Sequence, residues 1–177
     1  MHDNLFEIRI LDLHWINHKD YPEDLCAHGS VYIRIGNKVL DDKKDEEGLT
    51  LSAAALYLMR TIGTNYKIGD FGNQLIPHCG FFIIPNEDLS FVTIQGCPHG
   101  FDWTIVHEGN KVIHIADTGE KGEIILEEYK RMVLAFADEV EKFYKNSLPK
   151  ITPIDEFDLK GYKAFWNEWK ALRAKWA

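Results

Sequence analysis

The sequence predicts an α+β domain in which an antiparallel or mixed sheet, built from hairpins, carries helices on one face. Three observations lead there. Two β-like runs are each closed by a Gly-Asn pair, at Gly36-Asn37 and Gly109-Asn110, and two-residue turns of this kind join antiparallel neighbours. Apolar residues recur at helical spacing in two long segments, and a third is rich in Ala, Leu and Met. No Ser- or Gly-rich linker divides the 177 residues, so the whole chain, 1–177, reads as a single globular domain.

Each element follows from its local pattern. Leu5 to Trp15 alternates, with Phe6, Ile8 and Ile10 on one side and Glu7 and Arg9 on the other, as a half-buried strand does. Asn17 to Glu23 is a polar loop. Val31, Ile33 and Ile35 then face one way and Tyr32 and Arg34 the other, up to the turn at Gly36-Asn37, where glycine accepts a positive φ. A charged loop, Asp41 to Glu47, leads into Leu51 to Ile62, whose Ala, Leu and Met content predicts a buried helix with Thr50 or Ser52 as N-cap and Gly63 as its stop. Thr64 to Pro77 reads as loop. Strands are expected at 81–84 and 91–95.

The second Gly-Asn hairpin can be registered residue by residue. A turn at Gly109-Asn110 sets Glu108 opposite Lys111, His107 opposite Val112, Val106 opposite Ile113, Ile105 opposite His114 and Thr104 opposite Ile115. The face carrying Val106 and Ile113 is expected to meet the core. The other face, with Trp103, His107 and His114, is expected to be open. Glu123 to Lys145 and Leu159 to Trp176 are amphipathic helices, the second with an aromatic stripe of Tyr162, Phe165, Trp166, Trp169 and Trp176.

Composition narrows the function classes. Hydrophobic residues make up 45% and charged residues 27%, an ordinary globular balance. No apolar run approaches the roughly 20 residues needed to span a bilayer, and no basic-then-apolar leader opens the chain. Three cysteines form no disulfide framework, which predicts reduced thiols and a cytoplasmic protein. A net charge of -8 opposes binding to nucleic acid, which needs clustered Lys and Arg, and suits a basic protein partner.

The pattern Cys-x-His-Gly occurs twice, at Cys26-Ala27-His28-Gly29 and Cys97-Pro98-His99-Gly100, each followed by a β-like run and Gly-Asn-Lys-Val. This predicts one supersecondary unit used twice, both hairpins lying in one continuous sheet. In extended chain, residues i and i+2 point the same way. Cys26, His28, Cys97 and His99 are therefore candidate ligands for zinc, which favours tetrahedral Cys₂His₂ sets. Their spacing is not that of a zinc knuckle. The competing reading makes the cysteines small buried hydrophobes and the glycines turn residues.

Cys79, beside His78, is a weaker candidate nucleophile, because neighbouring side chains in a strand point apart. Asp102 and Asp117 face each other if the hairpin register extends that far, as an acid pair would. Gly69-Asp70-Phe71-Gly72 spells the kinase Asp-Phe-Gly, but the accompanying catalytic and phosphate loops are missing. No Walker loop, dinucleotide fingerprint, Gly-x-Ser-x-Gly or His-Glu-x-x-His is present.

The segments Asp24 to Gly29, Ser52 to Leu58, Gly96-Cys97-Pro98 with Asp102-Trp103, and Phe165 to Trp169 resemble stretches of small acidic bacterial proteins of uncharacterised activity. In general build the chain is similar to immunity proteins of bacterial toxin systems. That resemblance, with the acidity and the missing catalytic signatures, leads to the expectation of a non-enzymatic binding protein without a cofactor, capturing a basic protein such as a toxin domain stoichiometrically. Its expected partner-binding residues are Asp41, Asp42, Asp45, Glu46 and Glu47 in the charged loop and Trp103, His107 and His114 on the open hairpin face. The alternatives are a small metal- or thiol-dependent enzyme using the Cys/His corners, and a structural or regulatory domain.

Overall fold

The computed structural model describes residues 5–41 and 48–177. Nine strands and three α-helices are described, and all three sheets are antiparallel. The α+β class and the packing of helices against strands agree with the sequence.

The first sheet is built from β1 (Phe6–His14), β2 (His28–Ile35), β3 (Lys38–Asp41) and the short β4 (Leu49–Thr50). Phe6 and Ile8 of β1 and Val31, Ile33 and Ile35 of β2 are buried, as their alternation requires. A register shift between Ile10 and Asp12 bends β1 where its inward alternation ends. Gly36 closes β2 into β3 at φ +57, the conformation for which glycine is the ordinary choice.

α1 (Leu51–Thr61) follows directly, and every one of its residues is buried. A helix apolar on all sides has no solvent face to present. It packs against β2 and against both other helices. Thr50 sits at its N-cap position without capping it, since its hydroxyl donates instead to His78 O at 3.0 Å.

The one charged residue of α1 is paired. Arg60 Nε donates to Glu168 Oε1 at 2.6 Å, and Nη2 donates to Glu168 Oε2 at 2.8 Å and to Val92 O at 2.7 Å. The Val92 N–H completes the set by donating to Glu168 Oε2 at 2.9 Å. This ion pair locks α1, α3 (Glu156–Trp176) and β6 (Val92–Gln95) together. Removing either partner would strand a buried charge, at a cost of about 3–5 kcal/mol.

β5 (Phe82–Pro85) and β6 form the second sheet, a hairpin on which α3 lies. Asp155 caps α3 through its carboxylate, which accepts from Phe157 N at 2.9 Å and Asp158 N at 3.1 Å. The third sheet is β7 (Thr104–Glu108), β8 (Lys111–Ile115) and β9 (Lys121–Ile125), followed by α2 (Leu126–Lys145). β9 is a strand where the sequence suggested the first turn of a helix. Its backbone pairs with β8, from Lys111 opposite Ile125 to Ile115 opposite Lys121.

The register of β7 and β8 is the expected one, from Glu108 opposite Lys111 to Thr104 opposite Ile115. The assignment of its faces is reversed. Ile105, Val112, His114 and the adjoining Trp103 are the core side, whereas Val106 and Ile113 are half-buried. The reason is aromatic packing. The His114 ring stacks on Phe6 at 3.4 Å between centroids and accepts the Trp103 indole N–H at 2.9 Å, so both polar atoms that face each other are satisfied within the core.

The single continuous sheet is likewise not observed. The two Gly-Asn hairpins belong to different sheets, linked by a parallel bridge between Leu5 and Glu123. Among the described residues no helix is long and apolar enough to cross a membrane.

Candidate functional site

The two Cys-x-His-Gly corners come to different ends. At the second, segments 76–79 and 96–101 run side by side. Ile76 and Phe101 exchange both backbone hydrogen bonds, at 3.0 and 2.9 Å. A Cβ on Gly96 would lie 2.1 Å from Cys79 O, so only glycine allows this approach. The Asn73 amide donates to Cys79 O at 3.1 Å, and the Thr50 N–H donates to Pro77 O at 2.7 Å. Bonded to the start of α1 and to buried Asn73, the segment holds its side chains in place.

Those contacts gather His78, Cys79 and Cys97, whose donor atoms all lie within 4.8 Å of one another. The two Sγ atoms are 2.9 Å apart, and His78 Nδ1 is 3.4 Å from Cys79 Sγ and 3.3 Å from Cys97 Sγ. The neighbouring Cys79 thiol, the His99 N–H and the His78 ring stabilise the Cys97 thiolate and pull its pKa down to about 7, against a desolvation that pushes it up. The His99 ring is exposed and lies edge-on to His78 at 6.1 Å.

The first corner is the more buried of the two. The Cys26 thiol is buried and donates to Gly80 O at 3.8 Å, and burial pushes its pKa up to about 12, with Asp24 adding to the rise. The Tyr144 hydroxyl fixes the backbone on either side, donating to Leu25 O at 2.6 Å and accepting from Ala27 N at 3.2 Å. His28 is held below its ordinary pKa by burial, and its Nδ1 is buried without a hydrogen-bond partner among the described residues.

Cys26, His28, Cys97 and His99 therefore do not bring four donors to one point. Of the expected ligands only Cys97 belongs to the cluster, and His78 and Cys79 complete it. Adjacent residues were expected to point apart, as in a strand. Residues 78–79 lie outside any strand, so both side chains turn to Cys97.

Phe81, Phe82, Ile16, Pro153 and Tyr162, with Cys26 and His28 of the first corner, line a cleft of about 510 Å³ between the β5 end of the hairpin, segment 23–28 and the start of α3. Phe81 is 76% exposed and Phe157, whose ring stands 5.8 Å from that of Phe82, is 42% exposed. Ile154, next to Pro153, is 100% exposed. Among the described residues three carboxylates, Glu23, Asp24 and Asp158, supply the charge of the lining, and no Lys or Arg lines it. The sequence signalled this surface only through the consecutive Phe81-Phe82, which read equally well as a strand.

The other expected residues fall elsewhere. Trp103 and His114 are fully buried and present no surface to a partner. His107 is half-buried, with its Nε2 2.9 Å from Thr61 O at the end of α1 and its N–H donating to Asn65 Oδ1 at 2.7 Å. Asp41 closes β3 opposite Ile33, and Asp42, Asp45, Glu46 and Glu47 lie outside the described residues.

Asp102 and Asp117 form no acid pair. Asp102 accepts from the Tyr66 hydroxyl at 2.9 Å and from the N–H groups of Gly69, Leu75 and Trp103. Asp117 pairs with Lys38 at 2.7 Å. Comparison with protein-family models, curated proteins and solved structures gives no match for this chain.

Proposed function

We propose that the protein is a non-enzymatic, acidic binding protein of immunity type. It captures a basic protein partner, such as a toxin domain, by seating an apolar segment in the cleft beside Phe81. The observation that carries this reading is the pairing of exposed aromatic side chains with a lining whose carboxylates meet no Lys or Arg among the described residues. Large apolar groups left open beside a concavity mark interaction sites. Carboxylates around them favour an occupant whose apolar residues are flanked by Lys or Arg. The net charge of -8 acts in the same direction at long range and speeds the encounter.

The test is a photo-crosslinking residue placed at Phe81 in the producing cell, followed by reconstitution of the captured protein with the purified chain. Capture predicts a basic partner and a 1:1 complex. Its association should slow as salt rises, and its affinity should fall at least about thirtyfold when Phe81 and Phe157 are both replaced by alanine, since a single hot-spot aromatic carries about 2 kcal/mol or more. A complex indifferent to those two substitutions contradicts this reading.

The Cys79–Cys97 pair with its imidazole favours one second reading, a thiol-dependent enzyme. Turnover by the isolated chain that is lost in Cys97→Ser and kept in the Phe81 and Phe157 variants would put that reading in its place.

A further inference from the structure

We propose that His78, Cys79 and Cys97 form a binding site for a thiophilic divalent cation of the zinc class, joining segment 76–79 to segment 96–101. The ligand types suit zinc, which takes thiolate sulfur and imidazole nitrogen in tetrahedral array. The sulfur–sulfur distance lies midway between a metal site and the simplest competitor, a disulfide, and the position of the imidazole favours the metal. Around a tetrahedral zinc with ordinary bond lengths, a nitrogen and a sulfur ligand stand about 3.6 Å apart and two sulfurs about 3.8 Å apart.

Here the nitrogen stands 3.3 and 3.4 Å from the two sulfurs, near the edge length of that tetrahedron on both sides. The sulfurs, at 2.9 Å, need to open by roughly 0.9 Å to reach the same figure, which rotation about the two Cα–Cβ bonds supplies. A disulfide, with sulfurs about 2.05 Å apart, would give the imidazole no reason to sit evenly between them.

The surroundings are built for the ligands. Gly96 lets the two segments close, and Asn73 holds the Cys79 carbonyl at 3.1 Å. The Thr50 hydroxyl donates to the His78 carbonyl at 3.0 Å, and the His99 N–H points to the Cys97 sulfur. Metal ligands depend on such outer contacts for their orientation. Among the described residues three side chains supply ligands, and a tetrahedral ion takes a fourth donor such as water. The cluster is half-exposed, which gives the ion a way in. On binding, each cysteine gives up its thiol proton and no electron moves.

The site also bears on the cleft. Cys79 is separated from Phe81 by Gly80 alone, and a Cβ on Gly80 would lie 2.7 Å from a Thr50 methyl carbon. An ion that fixes Cys79 therefore fixes the backbone from which Phe81 projects. The metal site does not require the cleft to bind a protein, and neither proposal stands or falls with the other.

The experiment uses the full chain, reduced and handled without oxygen, with zinc added as the free ion. Binding is followed by calorimetry and, with cobalt in place of zinc, by the thiolate-to-metal absorption bands. The wild type should bind one ion per chain at micromolar or lower concentration, and zinc should raise the melting temperature. Cys79→Ser, Cys97→Ser and His78→Ala should each weaken binding at least about 100-fold, because loss of an outer-shell contact alone costs 10–100-fold. Cys26→Ser should bind as the wild type does. Circular dichroism establishes that each variant is folded. The site is refuted if the reduced wild type binds no zinc, if cobalt gives no thiolate bands, or if Cys26→Ser loses the ion as Cys97→Ser does.

Discussion

Two corners of this molecule share four letters and differ in chemistry. At Cys26-Ala27-His28-Gly29 the thiol is buried, its pKa is pushed up to about 12, and the pKa of the histidine beside it is lowered by burial. At Cys97-Pro98-His99-Gly100 the thiol is half-exposed and is pulled down to about 7 by the Cys79 thiol, a backbone N–H and an imidazole. What the corners have in common is the glycine. A Cβ on Gly29 would lie 2.0 Å from Asp12 O, and one on Gly100 would lie 2.3 Å from Ile76 O. In both, the motif lets one chain pass close to the carbonyl of its neighbour. The reactive character of the cysteine is set by what the rest of the fold brings to it.

The largest effects should come from breaking what the corners share. Gly29→Ala and Gly100→Ala each force a Cβ onto a backbone oxygen, which cannot rotate away. Each should cost at least about 1–3 kcal/mol in urea denaturation, the range for overpacking. If either is neutral, close approach is not the reason for glycine there.

Next comes a change that strikes one corner alone. Asn73→Ala removes the donor to Cys79 O and should cost about 1–3 kcal/mol, the penalty for a buried carbonyl left unpaired. It should also weaken zinc binding and leave Cys26 as unreactive as before. A loss of stability without a loss of zinc affinity would separate Asn73 from the cluster.

Acid should act on the first corner and on the third sheet. The folded pKa of His28 is lowered by desolvation, with His14 and His78 reinforcing and Asp24 opposing, and that of His114 is lowered well below 6.5 by burial and by His107. The unfolded chain therefore binds more protons than the folded one below about pH 6.5. Stability from these groups is complete above that value and is lost as pH falls below it, by up to about 1.4 kcal/mol per pH unit for the fully buried His114. Urea midpoints between pH 7.5 and 5.5 measure this, and His114→Phe should flatten the slope.

The smallest effect is expected from Cys26→Ala. Its sulfur makes one long contact, to Gly80 O at 3.8 Å, so the loss is that of a small buried hydrophobe, about 1 kcal/mol. Zinc binding should be unchanged.

Much of the local architecture is legible in the sequence. The register of β7 and β8 follows from the Gly109-Asn110 turn and a period of two. Which face of that hairpin is buried does not, because Ile105 and Val112 on one face are as apolar as Val106 and Ile113 on the other. Phe6, arriving from the first sheet to stack on His114, settles the question over more than 100 positions of chain. The end of β9, from Glu123 on, reads as helix because Ile125 continues the apolar spacing of α2, and only pairing with β8 makes it a strand.

The site was half legible. Cys97 was a candidate ligand and Cys79 a candidate thiol, each beside a histidine. Their meeting depends on the run of 76–79 along 96–101, a long-range contact that no local spacing encodes. The exposed Phe81 and Phe157 become a surface only once α3 is laid on β5.

The most direct test of the contrast is the rate at which each cysteine is alkylated by iodoacetamide in the folded, zinc-free protein at pH 7, resolved by peptide mass spectrometry. The thiolate is the reacting species. With one thiol near 7 and the other near 12, Cys97 should react at least about a thousandfold faster than Cys26, and saturating zinc should protect Cys97 and Cys79. Alkylation of Cys26 at the rate of Cys97 in the folded chain, or no protection by zinc, would contradict the account.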